Sequence, residues 1–425
     1  MVVPVPVVLQ EPQVKTLAPD VFSHIDQLSA PRLVEYWEQD PCYQPDYDRL
    51  IPMKSAAAPM MRMESKRKSE EADLGVTIEA KFAVGEYQIL ILSAKDSSGL
   101  DTWLRQNHYK IPPGADAALA PYIRDQMKFF VAKVDIKKVR RDEHGMVQLS
   151  PLRFAFDSAE LRLPVRLGLL NAESKQDLLV YVLSPDSRFE VANYPNIFIP
   201  TNIEVDDVVR KSFGGFYAEL FDETLRRMNN KAVVTEYSWQ TTGCDPCPTP
   251  PLSASDLYTL GDEVFFPELA GTESSPSGGV LTPSSGKSAS MQSPAAKMPP
   301  PSFPGNRRRM PFFGGGPSWV LTRMHTRYDQ QTLSEDLLFR SAKPVMGGRA
   351  NWDGTRGDQG AMIQDGGTNN FQGRYIIRHN SPAAVQRRNI ACHSACGTSW
   401  ECKRVTSKWQ QETFSQGLPR ILMNT

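Results

Sequence analysis

The stretch VTIEAKFAVGEYQILILSA, residues 76–94, shows most directly which kind of fold the chain adopts. Five apolar residues recur at every second position of its first half: Val76, Ile78, Ala80, Phe82 and Val84. This period of two predicts a strand with one face in the core. Gly85 and Glu86 suit a tight turn, after which YQILILSA returns as a second strand. We therefore predict a β-hairpin here.

Strand patterns recur along most of the chain. The predicted further strands are FFVAKVDIKKV, LRFAFDS, LRLPVRLGLL, DLLVYVLS, RFEVANY, AVVTEYSW, WVLTRMHTRY, DLLFRSA and FQGRYIIRH. Helical spacing predicts helices over 97–108 and 114–127, and the clearest helix over 206–228. Its apolar stripe of Val209, Phe213, Phe216 and Leu220 should face the core. The mixture indicates an α+β fold, a strand-rich mixed sheet domain with packed helices.

Two shorter helical pieces are predicted between residues 18 and 38. Asp20 suits the N-cap of the first piece, and Ser29 suits the N-cap of the second, with Pro31 in its first turn. Further along, Tyr122 belongs to a predicted helix face of mixed polarity, for which we expect solvation.

Changes in composition divide the chain into six segments. Two segments have no apolar period and cannot build a core, which predicts a mobile loop and a disordered linker rich in Ser, Pro and Gly. The predicted segments are 1–52 with an N-terminal strand and helices, loop 53–73, main α+β domain 74–266, linker 267–317, small C-terminal strands 318–380 packing on the main domain, and irregular tail 381–425.

Composition excludes some classes of function. The 425 residues carry 48 basic and 48 acidic side chains, and this zero net charge argues against a nucleic-acid partner. No apolar run approaches the roughly 18 residues of a membrane helix, so we predict no transmembrane segment.

The first ten residues, MVVPVPVVLQ, lack the basic region and cleavage site of a signal peptide. Pro4 and Pro6 interrupt the run, which predicts an edge strand at best. Because a protein seldom begins inside a strand, we expect the natural chain to start further upstream.

Several sequence segments resemble those of a known bacterial family, named domain of unknown function 2330. The phrases, in chain order, are MVVPVPVVL, DVFSHIDQLSAPRLVEYWEQDPC, GLDTWLRQNHYKIPPGA, YIRDQMKFFVAKVD, PLRFAF, LPVRLGLLN, YPNIFIPTNIEV, CDPC and NNFQGRYIIRH. They span about residues 1–380. The resemblance implies an exported protein, periplasmic or secreted in its full-length form, and it implies no known activity.

Two departures from the family pattern concern the ends of the chain. From the resemblance we expect a signal peptide and the first cysteine-containing strands before Met1, and we expect a different ending from the tail after His379. A truncation and a frameshift would explain both departures. We therefore expect this chain to be less stable than a version with the family ends restored.

The motif GCDPC, residues 243–247, is open to three interpretations. In a thiol-disulfide enzyme the first cysteine opens a helix, but Pro248, Pro250 and Pro251 prevent a helix directly after Cys247. The nearest helix start is Ser253 or Ser255. An export compartment and the short spacing favour a disulfide between Cys244 and Cys247, and Cys42 is an alternative partner. A zinc site would need two ligands more, for which Cys392, His393, Cys396 and Cys402 are available.

No other motif indicates chemistry. SSGKS at 284–288 lacks the first glycine of a phosphate loop, and we interpret His24 and His325 as surface or packing residues. We assign no catalytic residue, metal or cofactor. The leading hypothesis is a non-catalytic, exported structural or binding protein of the cell envelope. Its partner is unknown, with an envelope component as a candidate. The alternative is a thiol-disulfide or metal-dependent enzyme that uses Cys244 and Cys247.

Overall fold

The computed structural model describes most of the segments that the sequence predicts to be ordered. The described residues are 1–38, 75–141, 147–170, 172, 174–244, 247–261, 319–329, 331–348, 363–379 and 409–412. The predicted loop 53–73 and the predicted linker 267–317 lie outside them, as does the predicted irregular tail except for residues 409–412.

The described part contains six α-helices and two short 3-10 helices. The helices are α1 (Asp20–Ser29), α2 (Ser97–Gln106), α3 (Ala115–Arg124), α4 (Arg166–Leu169), α5 (Phe213–Arg226) and α6 (Ala254–Leu260), with 3-10 turns at Glu11–Gln13 and Asp207–Ser212. The strands are β1 (Val2–Val5), β2 (Val14–Thr16), β3 (Arg32–Glu38), β4 (Val76–Val84), β5 (Tyr87–Ala94), β6 (Lys128–Val134), β7 (Arg140–Arg141), β8 (Val147–Gln148), β9 (Leu152–Phe154), β10 (Leu161–Leu163), β11 (Gln176–Pro185), β12 (Arg188–Val191), β13 (Asn196–Phe198), β14 (Ile203–Glu204), β15 (Val233–Gln240), β16 (Trp319–Tyr328), β17 (Leu337–Ala342), β18 (Val345–Gly347), β19 (Gln364–Asp365), β20 (Asn370–Gln372), β21 (Arg374–His379) and β22 (Trp409–Glu412).

The predicted hairpin forms one half of the first sheet, which has the order β1-β6-β5-β4 and is antiparallel throughout, so that β4 lies at its edge. Gly85 makes the turn with φ of 58°, a backbone conformation that favours glycine. One face of this sheet packs on α2 and α3, where Trp103 is buried. The predicted hairpin is confirmed, and β1 is an edge strand as its prolines predict.

The largest sheet has seven strands in the order β11-β16-β15-β20-β18-β19, with β13 also pairing to β15. Parallel and antiparallel pairs both occur in it, since β13 runs parallel to β15 and β16 antiparallel. Helices α1 and α5 pack on β15. The smaller sheets are β14-β21-β3-β22, β10-β17-β12, β2-β9 and β7-β8. The predicted α+β class with mixed sheets is confirmed.

Two sequence predictions about local structure are wrong. The second helical piece near residue 30 is instead strand β3, which pairs in parallel with β21 from Arg32 to Trp37. Ser29 caps no new helix: it is the last residue of α1, where its hydroxyl donates to the carbonyl of Ile25, and Ala30 is already extended. The predicted strand LRLPVRLGLL is split into β10 and the short helix α4. In the first case the pairing partner, distant in sequence, overrides local propensity.

The helix predicted over 206–228 is present, with its first part in the 3-10 form. Phe213 is buried, whereas Phe216 and Leu220 are half-buried and pack at the side of the cluster. Tyr217 and Phe221 complete the buried stripe. The predicted register is therefore confirmed for Phe213, and the centre of the buried stripe lies one position further along the chain.

Tyr122 is buried rather than solvated, so this prediction is also wrong. Its hydroxyl donates to Asp336 Oδ1 at 2.7 Å, and the same oxygen accepts the backbone N–H of Val165 at 3.1 Å. The contact joins helix α3, which packs on the first sheet, to the residue that precedes β17. Mixed polarity along a helix face cannot reveal a partner 214 residues away in the sequence.

Replacing Tyr122 by phenylalanine removes the hydroxyl and keeps the ring. We expect the variant Tyr122→Phe to lose about 1–3 kcal/mol of unfolding free energy, because the buried Asp336 carboxylate loses a donor. Chemical denaturation measures the loss. Tyr258→Phe is the matched control, since Tyr258 is 52% exposed, and its curve should overlay that of the wild type. Equal midpoints for both variants would contradict this role of the contact.

Candidate functional site

Strand β16 places three charged side chains on one face of the largest sheet. Arg323, His325 and Arg327 occupy alternate positions, so they point the same way, while Met324 lies in the apolar cluster on the opposite face. Arg323 is 1% exposed and His325 is 8% exposed. Charged side chains are almost never buried this deeply without partners. The neighbouring elements supply those partners.

The central partner is Glu236, which lies at a β-bulge in β15. The register between β15 and β16 shifts between Thr235 and Tyr237, and Glu236 is the extra residue. A bulge interrupts the regular alternation of side chains and turns one of them to a new direction. The carboxylate of Glu236 is thereby brought between the sheet and helix α5, where it is completely buried.

Three side chains bind the carboxylate of Glu236. Arg323 Nε donates to Oε2 at 2.6 Å, and His325 Nδ1 lies 2.7 Å from Oε1. The hydroxyl of Tyr217 on α5 also donates to Oε1. Both oxygens of the buried carboxylate therefore have donors, as a buried charge requires.

A first arm of the network leads to helix α1. Arg323 Nη1 donates to Asp26 Oδ1 at 2.5 Å and to the hydroxyl of Tyr181 at 3.0 Å. That hydroxyl in turn donates to Asp26 Oδ1 at 2.8 Å. Asp26 lies in α1 and Tyr181 in β11, so one guanidinium links three strands to a helix.

A second arm leads toward the surface. His325 Nε2 lies 3.3 Å from Asp177 Oδ1, and Arg327 Nε donates to the same oxygen at 2.7 Å. Arg327 Nη1 also donates to Asp222 of α5. The ring of Phe221 stacks on the His325 ring, with centroids 3.8 Å apart. Helix α5 thus covers the imidazole and pairs with the outer arginine.

The charges of the network displace the pKa values of its members. Burial by itself raises the pKa of Glu236, but the charges of His325 and Arg323 and the hydrogen bonds outweigh it and lower this pKa to about 2. Burial also raises the pKa of Asp177, and its bonds to His325 and Arg327 lower it to about 2. For His325, burial lowers the pKa, but Glu236 and Asp177 raise it above its ordinary value.

The protonated imidazole fits this geometry. As a cation, His325 donates from Nδ1 to Glu236 and from Nε2 to Asp177. Both ring nitrogens are then engaged by carboxylates. The arrangement connects β11, β15, β16, α1 and α5. Its acidic and basic side chains neutralise one another.

A second cluster lies between β3, β21 and the 3-10 turn at Asp207–Ser212. Glu35, buried in β3, accepts hydrogen bonds from Arg210 Nη2 at 2.5 Å and lies 2.8 Å from His379 Nε2. Trp37 stacks on the His379 ring at 4.5 Å. This cluster, too, satisfies a buried carboxylate with side chains from other elements.

Cys244 and Cys247 lie at disulfide distance, with their Cα atoms 5.0 Å apart. Cys244 is half-buried against the cluster formed by α1 and β15, and Cys247 is exposed. Helix α6 begins at Ala254, with Ser253 as its N-cap, as the sequence predicts. Neither sulfur therefore lies at a helix N-terminus, the position that activates a thiol.

The remaining candidate ligands lie outside the described residues. These are Cys42, Cys392, His393, Cys396 and Cys402. Among the residues that the structure describes, no group of three His, Cys, Asp or Glu side chains could hold a metal ion. Within the same residues, no helix combines the length and apolar character needed to cross a membrane.

The network around Glu236 is not predicted by the sequence patterns. They predict a surface or packing role for His325, and they single out neither Glu236 nor Arg323. One signal was available, because WVLTRMHTRY and AVVTEYSW place charged side chains within runs that otherwise read as buried strands. Such charges predict internal pairing, although the partners on α1 and α5 are not readable from spacing.

Glu236→Gln tests the centre of the network. The amide keeps the shape but leaves Arg323 and His325 without their buried counter-charge, so we expect a loss of about 3–5 kcal/mol of unfolding free energy. Denaturant unfolding measures it. Glu223→Gln is the control, because Glu223 forms only surface ion pairs with Arg226 and Arg227, and we expect its midpoint to stay unchanged. A near-neutral Glu236→Gln would show that the network adds no stability.

The displaced pKa values predict how stability depends on pH. Asp177 and Glu236 have lowered pKa values, so their contribution is present above about 4 and is lost as the pH falls toward about 2. His325 has a raised pKa, so its contribution is present below about 6.5 and is lost as the pH rises through the folded-state value.

Unfolding midpoints measured across pH 2–9 should therefore fall toward both the acid and the alkaline end of this range. In His325→Gln, the decline toward alkaline pH should be weaker. His108→Asn is the control, because His108 is exposed and has φ of 62°, which asparagine tolerates. An alkaline decline that persists unchanged in His325→Gln would assign that decline to another group.

Comparison with known proteins gives one match. The family model described as "Uncharacterized protein conserved in bacteria (DUF2330)" matches residues 1–340, which include the whole network around Glu236. No curated protein and no solved structure matches the chain. This match confirms, over residues 1–340, the resemblance seen in the sequence. The chain belongs to the bacterial family of uncharacterised proteins named domain of unknown function 2330.

Proposed function

We propose that this protein is a non-catalytic structural or binding protein that works in the bacterial cell envelope, outside the cytoplasm. The observation that carries the proposal is the closed ionic network around Glu236. Its displaced pKa values arise from groups that neutralise one another inside the fold. Displaced pKa values often mark active sites, but structural ion-pair networks produce them as well.

The geometry of His325 supports the structural interpretation. A general acid or base must come within hydrogen-bond distance of the substrate atom that exchanges the proton. Both nitrogens of His325 already face carboxylates, and Phe221 covers one side of the ring. Glu236 is completely buried. The same network also holds helices α1 and α5 on the sheet, through Asp26 and Asp222.

The cysteine pair supports a location outside the cytoplasm. Disulfides persist in oxidising compartments, and Cys244 and Cys247 lie at the distance of one. A disulfide that closes a loop of only four residues restricts the unfolded chain slightly. It stabilises the folded state by about 2 kcal/mol. The resemblance to an exported family points to the same compartment.

The alternative enzyme hypotheses receive less support. For a thiol-disulfide enzyme, the cysteine that reacts should lie at a helix N-terminus, and α6 begins only at Ala254. The more exposed residue of the pair is Cys247, the second cysteine of the motif. A metal-dependent enzyme that uses this pair would need further ligands, and the candidates in the tail lie outside the described residues.

Fractionation of a bacterium that carries the gene naturally tests the location. We expect the protein in the periplasmic or secreted fraction, with the Cys244–Cys247 peptide labelled by a maleimide only after reduction. A Cys244→Ser, Cys247→Ser double variant is the control, because its peptide should take no label under either condition. A cytoplasmic protein with both thiols free would overturn the proposal.

The purified protein tests the non-catalytic part. A broad screen of hydrolase and oxidoreductase substrates should give no turnover above that of Glu236→Gln and of the cysteine double variant. Turnover that either variant abolishes while still folded would replace the proposal with an enzyme assignment.

A further inference from the structure

The edge strand β11 differs from the other long edge strands of the described residues. It ends the largest sheet and pairs only with β16 there. Its ten residues pair with ten residues of β16 without a shift in register, so the strand is regular over its whole length. No residue of β11 is fully buried, whereas nearly every residue of β16 is. The residues of β11 are thus partly exposed, and none of the described strands pairs with its outer edge.

Exposed edges normally carry devices that prevent pairing with another chain. In the first sheet, β1 contains Pro4, which lacks an N–H, and β4 has a bulge at Glu79. In the other sheets of the described part, the edge strands are four residues long or less. The six central residues of β11, Leu178–Leu183, have no proline, no charge and no bulge.

We propose that the open edge of β11 is an interface at which two copies of this chain pair in antiparallel orientation. The two seven-stranded sheets would then form one continuous sheet about a two-fold axis perpendicular to it, near Val180 or Tyr181. Such an axis keeps the helix-covered face of each sheet on the same side. Each copy offers the same surface to the other, as in most homodimers.

The sequence of β11 is complementary to itself in this arrangement. Antiparallel pairing sets the uncharged residues of Leu178–Leu183 opposite one another, which avoids like charges across the strands. With the axis at Val180, Asp177 lies opposite Leu183 of the second copy. The two Asp177 carboxylates are then about 20 Å apart along the strands, beyond the screening distance at physiological salt. Self-pairing thus carries no electrostatic penalty, whereas an unrelated strand would have to match the uncharged run by chance.

Mass measurement over a dilution series is the first test. A single strand pair buries little surface, so we expect a dimer that dissociates on dilution. Light scattering should show the mean mass rising from 47.5 kDa to twice that value with concentration. Hydrogen exchange of the β11 peptide should slow over the same range, because outward N–H groups become bonded. A monomer at all concentrations up to about 1 mM would overturn the proposal.

Proline substitutions locate the interface. Successive N–H groups of a strand point to opposite sides, so one of Leu179→Pro and Val180→Pro removes an outward N–H and the other removes a bond to β16. The outward variant should stay folded and monomeric, and the inward variant should be destabilised. Lys81→Pro and Phe82→Pro in β4 are the matched controls, and whichever of the two stays folded should still dimerise.

Two further outcomes would also overturn the proposal. A folded outward variant that still dimerises would place the interface elsewhere. Slow exchange of β11 in a monomer at every concentration would show that another segment of the same chain, or a strand of another protein, covers the edge. The test does not depend on the proposed envelope function.

Discussion

The carboxylate of Glu236 lies inside the protein, and an unpaired charge in that position would cost several kcal/mol. Three donors compensate it: Arg323 and His325 from β16, and Tyr217 from α5. Since β15, β16 and α5 must all be in position for those bonds to form, the carboxylate couples the largest sheet to its covering helix. An incomplete set of partners would leave a buried charge, so the network also disfavours shifted registers.

The bulge at Glu236 makes this arrangement possible. Without the extra residue, strand alternation would not bring the carboxylate and the side chains of β16 to the same position. Beyond the bulge, Tyr237 and Trp239 pack against α1 rather than α5. One irregularity therefore divides a single sheet face between two helices, and Asp26 and Asp222 then hold each helix to an arginine of β16.

The edge strands of the described sheets differ in how they are protected against pairing with another strand. Edges that end in short strands, a proline or a bulge need no further cover, whereas β11 keeps ten regular residues open on one side. The network reaches this strand as well, through Asp177 and Tyr181, and fixes its inner side firmly to β16. A rigid strand loses little entropy on pairing, which favours its use as an interface.

Local structure follows from the sequence wherever an apolar period is long and regular. The alternation over 76–84 and the stripe around Phe213 predicted the hairpin and the main helix, and the Pro-rich run after Cys247 predicted where α6 begins. The many family phrases also identified the family. These features depend on neighbouring residues, and spacing reports such neighbours directly.

Residues whose partners are far away in the chain take their role from tertiary contacts. Residues 32–38 became a strand because β21 lies beside them, and Tyr122 became buried because Asp336 accepts its hydroxyl. Arg323 lies 297 residues from Asp26 and 87 residues from Glu236. Local propensity carries no information about such pairs. The two charges stabilise the fold only when folding buries them beside each other.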